Sequence, residues 1–290
     1  MAQISAQMVK QLREMTGAGM MECKKALVEA EGDMDAAVDV LRKNGLAAAA
    51  KKAGRATNEG AVGAYVSGDG RAGALVEVEC ETDFVATNAK FTGFTCDLAK
   101  AVVENGYADA GALMAGQVNG EPTEAAITEM VHIIGENMKV ARVASRKTDH
   151  GAVSTYLHMG GKIGVLVEFA FDKPATADND EFKTFAHDVA MQVAATAPIC
   201  AVREDVPAET VEHEMSIYKE QAAQSGKPEA IQEKMATGRL EKFYKQFVLV
   251  EQEFVKDSSM TISSYAQQVS KACGDNVRVV AFDRIMRGEE

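Results

Sequence analysis

This 290-residue chain contains two similar stretches of sequence, GAVGAYVSGDGRAGALVEVEC at residues 60–80 and GAVSTYLHMGGKIGVLVEFAF at residues 151–171. The alignment continues without a gap to residues 103 and 194, with a constant offset of 91 residues and 16 identities in 44 positions. Similarity at a fixed offset indicates a duplicated structural unit. The repeat therefore decides the fold, and the rest of the chain is interpreted by reference to it.

Each copy has the pattern of two strands, a glycine-rich turn between them and a following helix. The apolar and β-branched runs predict strands at 61–66, 73–80, 152–157 and 164–171. Apolar residues then recur at helical spacing, so an amphipathic helix is predicted to begin near Phe91 in the first copy and near Phe182 in the second.

A third strand is also duplicated, because GENMKV at 135–140 resembles GDNVRV at 274–279. The spacing from the start of the repeat is much longer in the second copy, so an insertion splits that copy. Within the insertion, apolar residues at helical spacing flank the turn Ser225–Pro228, which predicts a helical hairpin. The hairpin either pairs with a second copy of the chain or packs on its own core.

The first 55 residues, here called the head, have the pattern of three short helices. The first follows a cap at Ser5 and ends before the break at Thr16–Gly19; the third follows a cap at Asp33 and is predicted to end at Asn44–Gly45. An Ala/Lys-rich helical linker follows up to Arg55. The head is either a folded appendage or a module that docks a partner helix.

These patterns predict an α+β protein. It has an N-terminal three-helix bundle, a duplicated core of two small three-stranded antiparallel sheets with helices, and an inserted antiparallel helical hairpin. The predicted domains are residues 1–55, 56–147, 148–200 together with 248–290, and 201–247.

Composition excludes several classes of function. Lys and Arg number 31 against 43 Asp and Glu, a net charge of −12, which argues against direct nucleic-acid binding. The five cysteines lie far apart without a CxxC pair, so neither disulfides nor a zinc site is predicted. Because no signal sequence and no apolar run of membrane-spanning length occurs, we expect a cytoplasmic protein with no membrane partner.

One nucleotide-binding motif needs a structural test. GDGRAG at residues 68–73 matches GxGxxG, but that fingerprint requires a helix to follow it, and residues 74–80 are rich in strand-forming residues. A hairpin turn is the better interpretation. The histidines do not pair at metal-ligand spacing and no nucleophile elbow occurs, so no cofactor and no metal are predicted.

The two copies differ most informatively just after their second strands. The first copy has Glu81-Thr82-Asp83-Phe84-Val85, whereas the second has DKPAT at 172–176. Residues that both copies share are expected to be scaffold, and residues that one copy alone has are candidates for function. The alternative is that Phe84 fills local core.

Two stretches, TGAGMMECKKAL at 16–27 and CETDFVA at 80–86, resemble the two signatures of the bacterial elongation factor Ts family. Residues 158–166, 224–228 and 238–239 also resemble segments of that family, so the resemblance covers nearly the whole chain. It implies a ubiquitin-associated-like head, a duplicated α+β core and a dimerisation-type hairpin.

The resemblance also implies a function, that of promoting GDP release from the GTPase elongation factor Tu without covalent chemistry. By resemblance, Thr82, Asp83, Phe84 and Val85 form the segment that disturbs the partner's Mg²⁺ site. Further partner contacts implied in this way are Lys24 in the head and His158 in the core.

Two departures and two alternatives accompany this interpretation. Lys256 and Asp257 stand where some relatives carry an apolar residue and Glu. The alternative function is a non-catalytic protein-binding scaffold with a helix-recognising head. An NAD(P)-dependent enzyme that uses the glycines of residues 68–73 ranks third.

Overall fold

The computed structural model describes residues 4–289. They divide into two compact units. The first unit combines the residues up to Gly63 with Val76–Val143 and the residues from Arg287, and the second combines Ala64–Leu75 with Ala144–Met286. The mixed α+β class predicted from the sequence is confirmed, whereas the four-part domain division stays a prediction.

Both copies contain the strand, strand, helix and third strand that the repeat predicts, together with further helices and short strands that it does not predict. The helices are α1 (Ala6–Thr16), α2 (Met20–Glu29), α3 (Met34–Lys52), α4 (Asp83–Ala86), α5 (Ala89–Asn105), α6 (Ala110–Ala115), α7 (Thr123–Ile134), α8 (Asp180–Thr196), α9 (Ala208–Ala223), α10 (Glu229–Phe247) and α11 (Ile262–Cys273). The strands are β1 (Glu59–Val66), β2 (Ala72–Cys80), β3 (Gln117–Val118), β4 (Glu121–Pro122), β5 (Met138–Lys147), β6 (Gly151–His158), β7 (Ile163–Ala170), β8 (Glu253–Phe254), β9 (Asp257–Thr261) and β10 (Arg278–Met286).

Both copies of the repeat form a three-stranded sheet with the second strand of the copy in the centre. The strand orders are β1-β2-β5 and β6-β7-β10, so the duplicated third strand is confirmed in both. In the second sheet β7 pairs antiparallel with both neighbours, and Ala170 lies opposite Gly151 on one side and Arg278 on the other. The insertion thus leaves the sheet itself intact.

The first glycine of each copy is required by a close approach of two strands. A Cβ atom on Gly60 would collide with the carbonyl oxygen of Val78, and one on Gly151 would collide with that of Phe169. The two carbonyls are themselves separated by the repeat offset. Only glycine fits at this position, which explains its presence in both copies.

The helix after the second strand is also built alike in the two copies. Asn88 caps α5 by accepting a hydrogen bond of 2.9 Å from the amide of Lys90, and Asn179 caps α8 by accepting one of 2.8 Å from Glu181. The helices bury matching apolar residues, which are Phe91, Phe94, Leu98 and Val102 in α5 and Phe182, Phe185, Val189 and Val193 in α8. These shared residues are scaffold.

The head forms three helices with a small core of its own. Ser5 caps α1 and Asp33 caps α3, as predicted. The buried residues at the centre are Val9, Leu12, Ala18, Cys23, Ala26, Leu27, Ala37 and Leu41. Met20 and Met21, which share the apolar pattern of α2, are exposed instead.

The predicted end of the third helix at Asn44–Gly45 is wrong, because α3 continues without interruption to Lys52. Gly45 is buried against the ring of His132 on α7, and a small residue fits at this contact between the two helices. The following AAAA stretch, residues 47–50, has high helix propensity and continues the helix. Tertiary packing here outweighs the usual helix-ending effect of Asn-Gly.

The insertion forms the predicted antiparallel hairpin of α9 and α10, joined around Ser225–Pro228. An apolar cluster closes its base, comprising Val206, Leu240, Phe243, Tyr244 and Val248. Arg203 also fixes the base, because its guanidinium bonds Glu251 at 2.6 Å and Glu241 at 2.9 Å and stacks on the ring of Tyr244. Within residues 4–289, no helix is both long and apolar enough to span a membrane.

Candidate partner-binding site

The segment Thr82–Val85 leaves the end of β2 as a single helical turn that presents Asp83 and Phe84 to solvent. Phe84 is 82% exposed, and no other large apolar side chain in the described part of the chain is more exposed. Val85 and Ala86, on the opposite side of the turn, are buried and anchor it. Phe84 therefore does not fill local core, which was the alternative raised by the sequence.

The carboxylate of Glu136 holds the start of this turn. One oxygen, Oε2, accepts hydrogen bonds from the amides of Glu81 at 3.1 Å and Thr82 at 2.9 Å. The other, Oε1, accepts one of 2.6 Å from the Thr82 hydroxyl. Glu136 follows Gly135, whose left-handed conformation ends α7, and precedes β5. The loop between helix and strand thereby fixes the turn.

A second set of contacts ties down the neighbouring residue. Oε1 of Glu81 accepts a hydrogen bond of 2.6 Å from the amide of Asn137, and the Arg55 guanidinium lies 3.4 Å from the same oxygen. The side-chain amide of Asn137 in turn donates to the Arg55 carbonyl at 2.9 Å. Glu81, which leads into the turn, is therefore bonded to two residues that are distant from it in sequence.

The second copy has the same kind of support but a different turn. Asp275 accepts hydrogen bonds from the amides of Asp172 at 3.1 Å and Lys173 at 2.9 Å and from the Thr176 hydroxyl at 2.6 Å. Burial of Asp275 works against ionisation, but these bonds and one from the Asn276 amide bring its pKa to about 2. The turn that it supports is a 3-10 helix at Pro174–Asp178, without an aromatic residue.

Glu136 and Asp275 are not predicted from the sequence as supports of the two turns. Both lie in the duplicated segments GENMKV and GDNVRV, whose apolar pattern indicates only the start of a strand. The equivalent backbone amides are those of residues 81 and 82 in one copy and 172 and 173 in the other, separated by the repeat offset of 91.

Lys24 lies on an exposed surface of the head. It is one helical turn from Met20 and one from Val28 along α2, and both of these apolar side chains are exposed, at 46% and 58%. On a neighbouring face of the helix Cys23 and Leu27 are fully buried and hold α2 against the other head helices. The surface around Lys24 thus combines a cation with accessible apolar side chains.

His158 ends β6, at the turn that leads into β7. Its Nδ1 atom lies 3.1 Å from the Tyr156 hydroxyl, which fixes the orientation of the ring. The next residue, Met159, has φ of +51° and a 64% exposed side chain. His158 belongs to the second unit, whereas Lys24 and Thr82–Val85 belong to the first.

Three features of the described residues bear on nucleotide, nucleophile and metal chemistry. Gly68 and Gly70 lie in the turn between β1 and β2, Gly73 lies in β2 itself, and no helix follows the motif directly. Burial raises the thiol pKa of Cys80 to about 12 and that of Cys200 to about 11, so neither is an activated nucleophile. Among residues 4–289 no cluster of three or more His, Cys, Asp or Glu side chains could hold a metal ion.

An exposed aromatic side chain on a turn held by hydrogen bonds is typical of a surface that contacts another protein. Comparison with known proteins identifies the family of this chain. The family model for elongation factor TS matches residues 81–289. Elongation factor Ts of Clostridium botulinum (strain ATCC 19397 / Type A) is 46% identical over 289 residues, covering 99% of this chain and 93% of the relative. For elongation factor Ts of Trichlorobacter lovleyi the identity is 45%, with the same coverage.

The chain belongs to the elongation factor Ts family. It is therefore a translation elongation factor that promotes nucleotide exchange on elongation factor Tu without covalent chemistry of its own.

Proposed function

We propose that residues Thr82–Val85 are the part of this exchange factor that disturbs the Mg²⁺ and phosphate site of elongation factor Tu·GDP. Phe84 inserts between partner side chains, and Asp83 repositions the region that coordinates Mg²⁺. The observation that carries the proposal is the 82% exposure of Phe84 on a turn whose backbone is fixed from behind. An aromatic side chain held out in this way is suited to insertion into a partner.

Thermodynamic linkage sets what the segment must achieve. An exchange factor binds the nucleotide-free GTPase more tightly than the nucleotide-bound form, and bound nucleotide weakens its binding by the same factor. Burial of one Phe side chain contributes about 1.5–3 kcal/mol, which corresponds to roughly 10- to 150-fold. Phe84 therefore supplies part of the effect, and the rest comes from contacts made elsewhere.

We assign those other contacts to the surfaces around Lys24 and His158. The exposed Met20 and Val28 beside Lys24 supply apolar area that a partner helix can cover. The turn after His158 presents Met159, an adaptable apolar side chain, at the edge of a rigid hairpin. These two surfaces supply binding free energy that offsets the distortion of the Mg²⁺ site.

The test is release of a fluorescent GDP analogue from purified elongation factor Tu. At saturating factor, Phe84→Ala is expected to slow release about tenfold or more, the lower end of the burial estimate. Val255→Ala, which truncates a 49% exposed side chain in a β-hairpin of the second unit, is the matched control and should release at the wild-type rate. An unchanged rate for Phe84→Ala would overturn the proposal.

The binding surfaces are tested by affinity for nucleotide-free elongation factor Tu. Lys24→Ala and His158→Ala should each weaken that affinity, whereas Lys10→Ala, at an exposed position beside Glu14 on the same helix, should not. We also propose a cytoplasmic location and no direct contact with nucleic acid, consistent with the acidic balance of the chain. Light scattering after size exclusion decides whether the α9–α10 hairpin joins two copies of the chain.

A further inference from the structure

We propose that Glu136 is a positioning residue for nucleotide exchange, because its carboxylate sets the direction in which Asp83 and Phe84 leave the end of β2. This inference rests on the proposed function of Thr82–Val85. Glu136 lies in the loop between α7 and β5, and its carboxylate forms hydrogen bonds with residues at the start of the turn. Its role is to orient the segment that contacts the partner.

Phe84 is held in place by the backbone of the turn that carries it. The helical turn α4 has four residues, too few to be stable by its own hydrogen bonds. The Phe84 side chain is 82% exposed, so packing around the ring does not orient it. Its direction must therefore come from the backbone on either side of the turn.

The N-terminal end of the turn is held by Thr82 and Glu136. Thr82 caps α4 through its hydroxyl, which lies 3.4 Å from the amide of Val85. That hydroxyl donates to Glu136 at 2.6 Å, and the Thr82 amide donates to the same carboxylate at 2.9 Å. Glu136 thus fixes both the backbone and the side chain of the capping residue. Without Glu136, Thr82 and the turn that it caps lose the hydrogen bonds that fix their orientation relative to β2.

The Glu136 carboxylate is an acceptor well matched to the donors that face it. An ionised carboxylate only accepts hydrogen bonds, and Glu136 meets three donors, two of them backbone amides. Bonds to a charged acceptor are about twice as strong as neutral ones. Truncating Glu136 would leave the amides of Glu81 and Thr82 without this acceptor, and these residues would be free to rearrange.

The repeat supplies an internal control for this role. Asp275 accepts from the equivalent amides of Asp172 and Lys173 and from the hydroxyl of Thr176. Loss of either carboxylate therefore removes three hydrogen bonds from its local turn. The turn that Asp275 supports presents Pro174 and Ala175, not Asp and Phe. A purely structural role predicts equal consequences for the two sites, whereas a positioning role predicts that only Glu136 affects exchange.

The experiment compares Glu136→Ala with Asp275→Ala in the full-length protein. The readouts are the maximal rate of fluorescent GDP release from elongation factor Tu, the half-saturating factor concentration and the melting temperature. For Glu136→Ala we expect the maximal rate to fall about tenfold, comparable to one charge-assisted hydrogen bond, with the half-saturating concentration within about twofold. For Asp275→Ala the melting temperature falls, but the maximal rate stays within about twofold.

A double variant tests the route of the effect. If Glu136 acts by orienting Phe84, then Glu136→Ala slows exchange little further in a Phe84→Ala background. Equal slowing in both backgrounds, or equal slowing by Glu136→Ala and Asp275→Ala, would overturn the inference. Glu136→Gln keeps the shape and one acceptor oxygen and should slow release about threefold even if the Ala variant does not fold. A wild-type rate for Glu136→Gln also overturns it.

The inference and the proposed function fail in different ways. An unchanged rate for Phe84→Ala alone removes the role of the whole segment. A slow Phe84→Ala variant together with a normal Glu136→Gln variant removes only the role of Glu136.

Discussion

The ammonium group of Lys256 lies 2.6 Å from one carboxylate oxygen of Asp188, a side chain on α8 that is almost completely buried. The Tyr265 hydroxyl donates to the other oxygen at 3.2 Å. A buried carboxylate is costly unless a counter-charge and hydrogen bonds accompany it. Lys256 thus serves as the counter-ion of Asp188.

We expect Lys256→Met to lower the free energy of unfolding by about 1–2 kcal/mol. The estimate is below that for a fully buried pair because the Lys256 side chain is 52% exposed and water screens the interaction. Urea denaturation measures the loss. In an Asp188→Asn background, which removes the buried charge, the same change should cost little. An equal loss in both backgrounds would show that Asp188 is not the partner that matters.

Replacing the first-copy turn by the second-copy sequence should separate folding from function. The four changes are Thr82→Lys, Asp83→Pro, Phe84→Ala and Val85→Thr. Because both turns are held at equivalent amides, the chimera is expected to fold, with a loss of about 1–2 kcal/mol, mainly because it loses the Thr82 hydroxyl that caps α4 and bonds Glu136. Thermal unfolding monitors stability and GDP release monitors exchange. A chimera that exchanges at the wild-type rate would show that residues 82–85 are scaffold and do not act on the partner.

Gly45→Ala should stabilise the protein by about 0.5–1 kcal/mol, because alanine favours a helix interior. A Cβ atom at this position would lie 3.5 Å from the His132 ring, an ordinary contact distance. A larger residue has no such room, so Gly45→Leu should destabilise the contact between α3 and α7. Chemical denaturation of the three proteins should therefore give the order Ala, wild type, Leu. A less stable Ala variant would contradict this description of the packing.

Asp275 should make stability sensitive to acid. Its pKa in the folded protein is about 2, below the ordinary value of 3.8, so the contribution to stability is full above about pH 4. It is lost as the pH falls from about 4 to 2, because the unfolded chain then takes up the proton first. Asp275→Asn should lower stability at pH 7 and have less effect at pH 2.5. Equal differences at the two pH values would assign the stabilisation to something other than the charge.

The parts of the fold that sequence predicted are those that local rules determine. Asn88 and Asn179 cap helices, and Gly60 and Gly151 allow two strands to approach, so their recurrence at one offset already indicates their structural role. Apolar spacing likewise placed the helices of the hairpin. For the candidate site, the difference between the copies identified Asp83 and Phe84, but their exposure was visible only in the structure.

The features that the sequence did not predict depend on contacts between distant residues. The continuation of α3 through Gly45 depends on His132, 87 positions later, and local helix-ending rules cannot include that contact. The bonds from Glu136 to Thr82 cross 54 positions and leave no periodic signal. Only the second occurrence of an acidic residue in the same duplicated segment could have suggested them.

The inserted hairpin has a consequence for folding. In the first copy 57 residues connect the central strand β2 to β5, and in the second copy 107 residues connect β7 to β10. Loop-closure entropy grows only with the logarithm of loop length, so this near doubling costs about 0.6 kcal/mol. Because α9 and α10 pack on each other within the insertion, they can form early and shorten the effective loop. The third strand of a sheet can thus come from far along the chain at a small cost in loop-closure entropy.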